Sequence, residues 1–196
     1  MTAPRSPSLR DSLRAQTRDL HEQFDAAFRP ESSSWSPRRY GHLVTLLHSL
    51  HASADPLLAT WQRAVPGFPP VLARTAPFLA DLTFLGGRPS APLGLDDLPR
   101  DEAGRLTQPA GWGLLYVVAG SSLGGQTVLR QLPPSVAPGA RNGLTACASE
   151  SAAAVWRATL TLLATSRPAA DTAGAVEAGR RVFTRLLERL APVDAL

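Results

Sequence analysis

The chain has 196 residues, of which 44% are hydrophobic and 18% charged, so its length and composition suit one folded domain and give no sign of disorder. Its formal net charge is +4, and arginine supplies all the positive charge, scattered without the basic run that marks a nucleic-acid-binding arm. The single cysteine, Cys147, excludes a disulfide within the chain and thiolate-rich metal or iron–sulfur sites.

Apolar residues recur at helical spacing over residues 9–28, which predicts a first helix. Ser8 stands immediately before it and suits an N-cap, because a serine hydroxyl can accept a hydrogen bond from an unpaired amide of the first turn. Pro30 ends the pattern. This helix carries His21, one of four histidines in the chain.

A second helix is predicted to begin at residues 35–37, with Ser34 or Ser36 as its cap and a proline in its first turn. Its apolar pattern stops before Pro66. Pro56 lies inside this pattern, and a proline within a helix removes one backbone hydrogen bond and crowds the preceding turn. We therefore expect Pro56 to kink the helix or to split it.

The middle of the chain alternates between helical and breaker-rich stretches. A third helix is predicted over residues 71–85, and the stretch 86–100, rich in glycine, proline and aspartate, is predicted to be a loop. Pro109 opens the next helix, which continues to Leu132. Prolines and a glycine between 133 and 139 then break the chain again.

Two further helices are predicted, over residues 143–165 and 171–190. No alternating strand pattern competes with the helical spacing. The sequence therefore predicts an all-α fold, with one helical domain over residues 8–190, a flexible N-terminus at residues 1–7 and a C-terminal tail at residues 191–196.

The helix that starts at Pro109 contains the unusual run Gly120–Gln126, in which Gly120, Gly124 and Gly125 are glycines. Each glycine inside a helix costs about 0.8–1 kcal/mol relative to alanine, so such a run weakens or bends the helix. One explanation is a kink, or tight packing of another helix against the glycines. The other is close approach of a flat ligand, because glycine leaves the backbone bare. The run is not a phosphate loop, since it lacks the Gly-Lys-Ser/Thr ending and no strand precedes it.

His21 lies beside the apolar stripe of the first helix. Asp25 follows four residues later, where its carboxylate can accept a hydrogen bond from one ring nitrogen. Such a contact would orient the ring and leave the other nitrogen free for a metal. The alternative is a histidine at the boundary of the core whose polar atoms are satisfied by a neighbour.

The other three histidines, His42, His48 and His51, lie in the second predicted helix. His48 and His51 are three residues apart and could share a metal. A carboxylate-bridged di-iron bundle needs Glu-x-x-His motifs, however, and no glutamate stands three residues before a histidine. We reject that class of site and expect these histidines at the core edge or at the surface.

Two segments, Leu13–His21 and Gly113–Gln126, together resemble the haem oxygenase family, and the likeness extends from about residue 8 to residue 190. The first is similar to the proximal-helix pattern, in which a basic residue and a threonine lead to the axial histidine. The second resembles the distal helix, especially in bacterial members found with bacteriophytochromes, and Pro77–Gly86 is also similar to that subgroup. The resemblance implies haem held between a proximal helix and a kinked distal helix.

The resemblance also implies roles for individual residues. His21 would be the axial ligand of the haem iron, and Asp25 would be the acidic partner of its ring. Gly120 and Gly124 would lie against the distal face of haem, with Gly125 easing the bend. The residues that the resemblance places around the haem are Arg14, Thr17, His21, Asp25, Gly120, Gly124, Gly125, Arg180 and Arg181.

Arg14 matches the basic residue that faces a haem propionate, and Arg180 or Arg181 in the last helix is a further candidate for that contact. Ser121 stands where mammalian-type members have an aspartate that orders water, and Ala119 stands where phytochrome-linked members often have glutamate. A serine hydroxyl still orders water. Ser121 therefore joins the two distal glycines as a candidate catalytic position.

The implied activity is cleavage of haem to biliverdin, CO and Fe²⁺ with O₂. Electrons must come from a partner such as a ferredoxin or a flavoprotein reductase, because the chain has no flavin or nicotinamide fingerprint, and an acidic partner would suit its basic surface. A bacteriophytochrome is the implied recipient of biliverdin. Nucleic acid and membrane partners are not expected. With neither a secretory signal nor an apolar run long enough to span a bilayer, the predicted location is the cytoplasm.

Three other readings of the sequence remain open. The first is a non-catalytic haem-binding or carrier protein on the same fold. The second is a thiaminase-like hydrolase, in which Cys147 would be the nucleophile. The third is a helical interaction domain that binds no haem.

Overall fold

The computed structural model describes residues 7–28, 35–65, 68, 71, 73–89, 91–165 and 169–190. Among them it has seven α-helices and no strand, which confirms the predicted all-α fold. The helices are α1 (Leu9–Phe28), α2 (Pro37–Trp61), α3 (Thr75–Phe84), α4 (Gln108–Gln131), α5 (Asn142–Cys147), α6 (Glu150–Thr165) and α7 (Ala169–Glu188). Apart from Pro7, the predicted terminal segments lie outside the described residues.

Two of the predicted helix starts are confirmed by their caps. The Ser8 hydroxyl accepts a hydrogen bond from the Asp11 amide at 3.2 Å, and the Asp11 carboxylate accepts one from the Ser8 amide at 3.3 Å. This reciprocal arrangement satisfies amides that the first turn leaves unpaired. At the start of α2, Ser36 is the cap and its hydroxyl accepts from the amide of Arg39.

The prediction that Pro56 could split the second helix is wrong. The helix α2 is continuous from Pro37 to Trp61, and a 3₁₀ turn over Gln62–Ala64 follows it. The residues on either side, Ala54 and Leu58, are fully buried. Packing of this apolar face therefore outweighs the one hydrogen bond that a proline removes.

The predicted start of the third helix at residue 71 is also wrong, because α3 begins at Thr75. The Asp55 carboxylate of α2 determines this start. One of its oxygens accepts hydrogen bonds from the Arg74 amide at 2.8 Å, the Thr75 amide at 2.9 Å and the Thr75 hydroxyl at 2.7 Å. A side chain 20 positions away thus caps the helix.

The single helix predicted over 143–165 is two helices, α5 and α6. Asp81 of α3 fixes the beginning of α5, because its carboxylate accepts from the amides of Asn142 and Gly143, each at 2.9 Å. Ser149 begins α6, with its hydroxyl accepting from the Ala152 amide at 3.2 Å. The break between the two helices follows from these two caps.

The helix α7 holds α1 and α4 side by side. It packs against both of them, and α6 also contacts both. A Cβ atom at Gly113 of α4 would lie 2.2 Å from the Ala175 carbonyl oxygen, so α4 and α7 cross backbone to backbone there. At Gly179 of α7, a Cβ would meet Leu13 and Thr17 of α1 within 3.6 Å. The two helices predicted to enclose haem therefore meet at one side of α7.

No helix within the described ranges combines the length and the apolar character needed to cross a membrane.

Candidate functional site

One face of α1 carries the predicted proximal residues, because Arg14, Thr17, His21 and Asp25 follow helical spacing. The side chain of His21 is 56% exposed, and its Nδ1 lies 3.4 Å from a carboxylate oxygen of Asp25. The buried Phe183 of α7 meets the imidazole edge to face, with the ring centroids 5.5 Å apart. The ring is thus held on one side by a carboxylate and on another by an aromatic ring.

These contacts leave one imidazole nitrogen of His21 available. Among the described residues, its polar contact is with Asp25 through Nδ1, and Nε2 has no polar partner. A carboxylate on one ring nitrogen selects the tautomer in which the other carries a lone pair. The local geometry therefore suits His21 to ligate a metal through Nε2.

Thr17 and Tyr116 connect the α1 face to α4. Thr17 is buried, and its hydroxyl donates to the Leu13 carbonyl at 2.8 Å. Burial raises the pKa of Tyr116, while Thr17 and the guanidinium groups of Arg14 and Arg10 act in the opposite direction. The positive charges of Arg14 and Arg10 on α1 thus act on the phenol of Tyr116 on α4.

The glycines of α4 differ sharply in their surroundings. A Cβ at Gly125 would lie 2.7 Å from the Cβ of Cys147, so another helix packs directly on this position. A Cβ at Gly120 would be in ordinary contact, 3.6 Å from the Trp156 ring. At Gly124 nothing lies within 4 Å of the Cβ position among the described residues.

Packing within the chain accounts for Gly125 but not for Gly124. Tyr116, Gly120 and Gly124 succeed one another every four residues, so they share one face of α4. This face, which we call the glycine face, begins beside Thr17 of α1 and becomes open at Gly124. The helix α4 is continuous through all three glycines.

The two serines of α4 have different environments. The Ser121 hydroxyl is half-buried and donates to the Val118 carbonyl at 2.7 Å. Ser122 is buried, and its hydroxyl has no partner among the described residues. An unpaired buried hydroxyl costs free energy unless water satisfies it.

A buried polar cluster lies behind α4, on α2 and at the start of α3. His51 is fully buried, and its Nδ1 lies 3.2 Å from the Asp55 carboxylate. The Arg74 guanidinium is also buried and donates to the Val118 carbonyl at 3.5 Å. In the part of the chain that the structure describes, His51 Nε2 and Arg74 Nε have no hydrogen-bond partner.

The burial of His51 and His48 shows that the prediction of a core-edge or surface position was wrong for both. Helical spacing could not reveal it, because α3 covers this face of α2 and the Phe78 ring stacks on His51 at 5.4 Å. Burial lowers the pKa of His51, partly opposed by its contact with Asp55. His51 is therefore held neutral inside the protein.

The two arginines predicted on the last helix diverge. Arg180 forms a bidentate ion pair with Asp19 of α1, at 2.8 and 3.1 Å. Arg181 lies 3.6 Å from Asp97 in the loop before α4 and 3.0 Å from Glu177. Arg180 is thus on the side of α7 that faces α1, and Arg181 is directed to the loop.

A cavity of about 260 Å³ lies elsewhere, between the end of α2 and the start of α4. Its lining residues are Trp61, Ala64, Asp101, Arg105, Leu106, Thr107 and Gln108. None of the predicted haem residues belongs to it.

Comparison with known proteins identifies the fold. No protein-family model matches the chain, and no curated protein matches it significantly. Among solved structures, the haem oxygenase of Neisseria meningitidis, determined with NO and CO bound, is 20% identical, and the match covers 94% of this chain and 91% of that one with a TM-score of 0.65. The chain is a single helical domain with the haem oxygenase fold. At this identity the likeness establishes the fold alone.

Proposed function

We propose that the chain is a haem oxygenase, which binds haem between α1 and α4 and opens it to biliverdin, CO and Fe²⁺ with O₂ and external electrons. The observation that carries the proposal is the pairing of an available histidine with a bare glycine face. His21 offers Nε2 on α1, and Gly124 on α4 has no neighbour that requires a glycine there. The helices that carry them are neighbours on α7.

A single histidine suits haem better than a metal ion bound by protein alone. Across the described residues, no three His, Cys, Asp or Glu side chains come together as a ligand set. A porphyrin supplies four nitrogens of its own, so the imidazole of His21 alone would be enough to hold the haem iron, and bound haem would supply the chemistry with O₂. Asp25 beside Nδ1 would increase the basicity of His21 as a ligand.

The glycine face would lie against the opposite side of the porphyrin. A side chain at Gly120 or Gly124 would hold a flat ligand away from the helix backbone, whereas glycine permits close contact. Glycine at position 124 destabilises the helix by about 1 kcal/mol relative to alanine, and no neighbouring group within the described residues requires a glycine there. Close approach of haem would supply that requirement.

The propionates of haem would lie at the junction of α1 and α4. Arg14 has no ion-pair partner among the described residues, and its positive charge acts to lower the pKa of Tyr116 on α4. A guanidinium and a phenol together suit a carboxylate. Arg180 is already paired with Asp19, and Arg181 is directed to Asp97. We therefore assign Arg14 and Tyr116 as the principal propionate contacts, with Arg180 on the same side of α7.

Bound haem would supply the activation of O₂ and would be the carbon framework that is cleaved. The chain's own task there is to hold protons near the distal side and to keep strong acids away. The Ser121 hydroxyl donates to the Val118 carbonyl and can still accept a hydrogen bond from water, and water would satisfy the unpaired atoms of Ser122, His51 and Arg74 behind α4. A neutral His51, with its Nδ1 at the Asp55 carboxylate, would accept a hydrogen bond from such water at Nε2 and would add no strong acid there.

Electrons would come from a ferredoxin or a flavoprotein reductase. The positive charge of the chain is carried by arginines, which would attract an acidic donor by charge steering. A bacteriophytochrome is the proposed recipient of biliverdin, and its support is the sequence likeness of residues 77–86 and 113–126 to proteins of that association. Such a role places the protein in the cytoplasm.

The test is titration of the purified chain with hemin, followed by a reductant and O₂ in the same cuvette. A sharp Soret band at one haem per chain that decays into the broad absorption of biliverdin supports the enzyme. A Soret band that persists with a competent reductant would support a haem carrier instead of an enzyme. Ser121 and Ala119 favour that alternative, because members of the haem oxygenase family have acidic residues at these positions. No specific Soret band would overturn both.

A further inference from the structure

We infer that Trp156 of α6 fixes the in-plane orientation of haem and so determines which meso carbon is oxidised. This inference rests on the proposed function and adds a specificity-determining residue to it. A porphyrin held by one axial histidine can rotate about the iron–nitrogen axis, so contacts at its edge must select one orientation.

Trp156 bounds one end of the glycine face. The nearest ring atoms of Trp156 lie 3.6 and 3.7 Å from the Cβ position of Gly120. Its ring also packs on Tyr116, with centroids 6.0 Å apart and planes inclined by 47°. No atom of a described residue comes within 4 Å of the Cβ position of Gly124. The glycine face is therefore covered by the Trp156 ring at Gly120 and open at Gly124.

The position of Trp156 is rigid. Trp156 is half-buried, and its neighbours Val155 and Thr159 on α6 are buried in the protein. Since α6 packs against both α1 and α4, the backbone that carries the indole is fixed relative to the two helices. An indole has few torsions and a large flat surface, so it holds a position at little cost in entropy.

Trp156 and the proposed propionate contacts together would define the orientation of haem. Arg14 and Tyr116 would anchor the carboxylate edge of haem, and Tyr116 itself touches Trp156. With the anchored edge adjacent to Trp156, only certain rotations would place the ring against the open part of the glycine face at Gly124 without a clash with the indole. The meso carbon beneath the reactive oxygen then follows from geometry rather than from electronic differences among the four bridges.

The experiment compares the parent with Trp156→Ala, Trp156→Phe and a control on an exposed face of α6, Thr161→Ala. One readout is the haem methyl pattern in proton NMR of the ferric cyanide complex, which reports orientation without turnover. The other is the ratio of biliverdin isomers after turnover. We expect one dominant orientation and isomer in the parent and in Thr161→Ala, at least a fivefold rise of a minor form in Trp156→Ala, and a smaller change in Trp156→Phe.

An unchanged methyl pattern and isomer ratio in Trp156→Ala, with haem bound, would overturn the inference while the proposed function stands. The same result in Trp156→Phe and Trp156→Leu decides the matter if the alanine variant does not fold. If the parent binds haem without turnover, the NMR pattern alone decides it. If the parent binds no haem, the proposed function fails, and this inference fails with it.

Discussion

Gly125 of α4 and Cys147 of α5 are in contact so close that a methyl group at Gly125 would lie 2.7 Å from the Cys147 Cβ. One residue earlier, Gly124 has open space where its side chain would be. The two adjacent glycines therefore have different causes. Gly125 allows two helices to pack, and Gly124 leaves the surface of α4 bare.

This contrast predicts opposite effects of alanine on stability. Gly124→Ala should raise the free energy of unfolding by about 0.5–1 kcal/mol, because the methyl group meets nothing and helix propensity improves. Gly125→Ala should lower it by about 1–3 kcal/mol through overpacking against Cys147. Urea unfolding of both variants measures the difference, and a stability loss at Gly124 equal to that at Gly125 would contradict it.

The same glycine supports a prediction about haem. Gly124→Leu should keep the fold and weaken hemin binding at least tenfold, because a leucine would stand between α4 and the porphyrin. The matched control is Gln126→Leu, since Gln126 is partly exposed two positions further on and lies on the opposite side of the helix. Hemin titration with circular dichroism checks both. Equal affinity of Gly124→Leu and the parent would mean that haem does not lie on the glycine face.

Arg14→Ala and Tyr116→Phe should each weaken hemin binding severalfold, since each removes a proposed propionate contact. Arg38→Ala serves as the control, because it removes the same charge from an exposed position at the start of α2. Raising the salt concentration should reduce the difference between Arg14→Ala and the parent. A loss of affinity as large in Arg38→Ala would indicate a general effect of net charge.

Burial of His51 predicts a loss of stability in mild acid. Because its pKa is lowered in the folded protein, the unfolded chain takes up a proton first, near pH 6.5, and the free energy of unfolding falls as the pH drops from 7 to 5. The slope for one such group is at most about 1.4 kcal/mol per pH unit. His48 and His42 have lowered pKa values too and add to it.

His51→Gln should flatten this slope relative to the parent in urea unfolding at a series of pH values. Burial raises the pKa of Asp55, but its hydrogen bonds to His51 and Thr75 outweigh burial and lower the pKa overall. The stability that ionised Asp55 contributes is therefore lost only below the range from pH 7 to 5, and it does not affect the slope measured there. A His51→Gln variant with the parent's slope between pH 7 and 5 would show that His51 does not carry the effect.

Cys147→Ala should leave hemin binding and haem turnover unchanged. The thiol is buried against Gly125, and burial raises its pKa, which suits a packing residue rather than a nucleophile. Removing the sulfur should lower the free energy of unfolding by about 1 kcal/mol. Loss of activity in a folded Cys147→Ala variant would revive the hydrolase reading.

The sequence predicted those parts of the fold that depend on local signals. Ser8 and Ser36 cap α1 and α2 as expected, because capping involves residues three positions apart. The shared face of Arg14 and His21 on α1 was also predictable from their spacing, whereas their roles toward haem come from the family resemblance and stay predictions. Local pattern is sufficient when both partners lie on one helix.

Three of the errors come from contacts between residues far apart in the chain. Asp55 sets the start of α3, and Asp81 sets the start of α5, although neither lies near the helix that it caps. His51 is buried because α3 covers it. Tyr116 was not among the predicted site residues, because the groups that act on it, Thr17 and Arg14, belong to another helix. No periodicity within one segment carries this information.

The central claim is that His21 ligates haem iron, and spectra of the ferric haem complexes of the parent and His21→Ala test it most directly. We expect the parent to bind one haem with the absorption and resonance Raman signature of a neutral histidine ligand. His21→Ala should lose that signature and regain it when imidazole is added. A His21→Ala complex with the parent's spectrum and affinity, without imidazole, would contradict the claim.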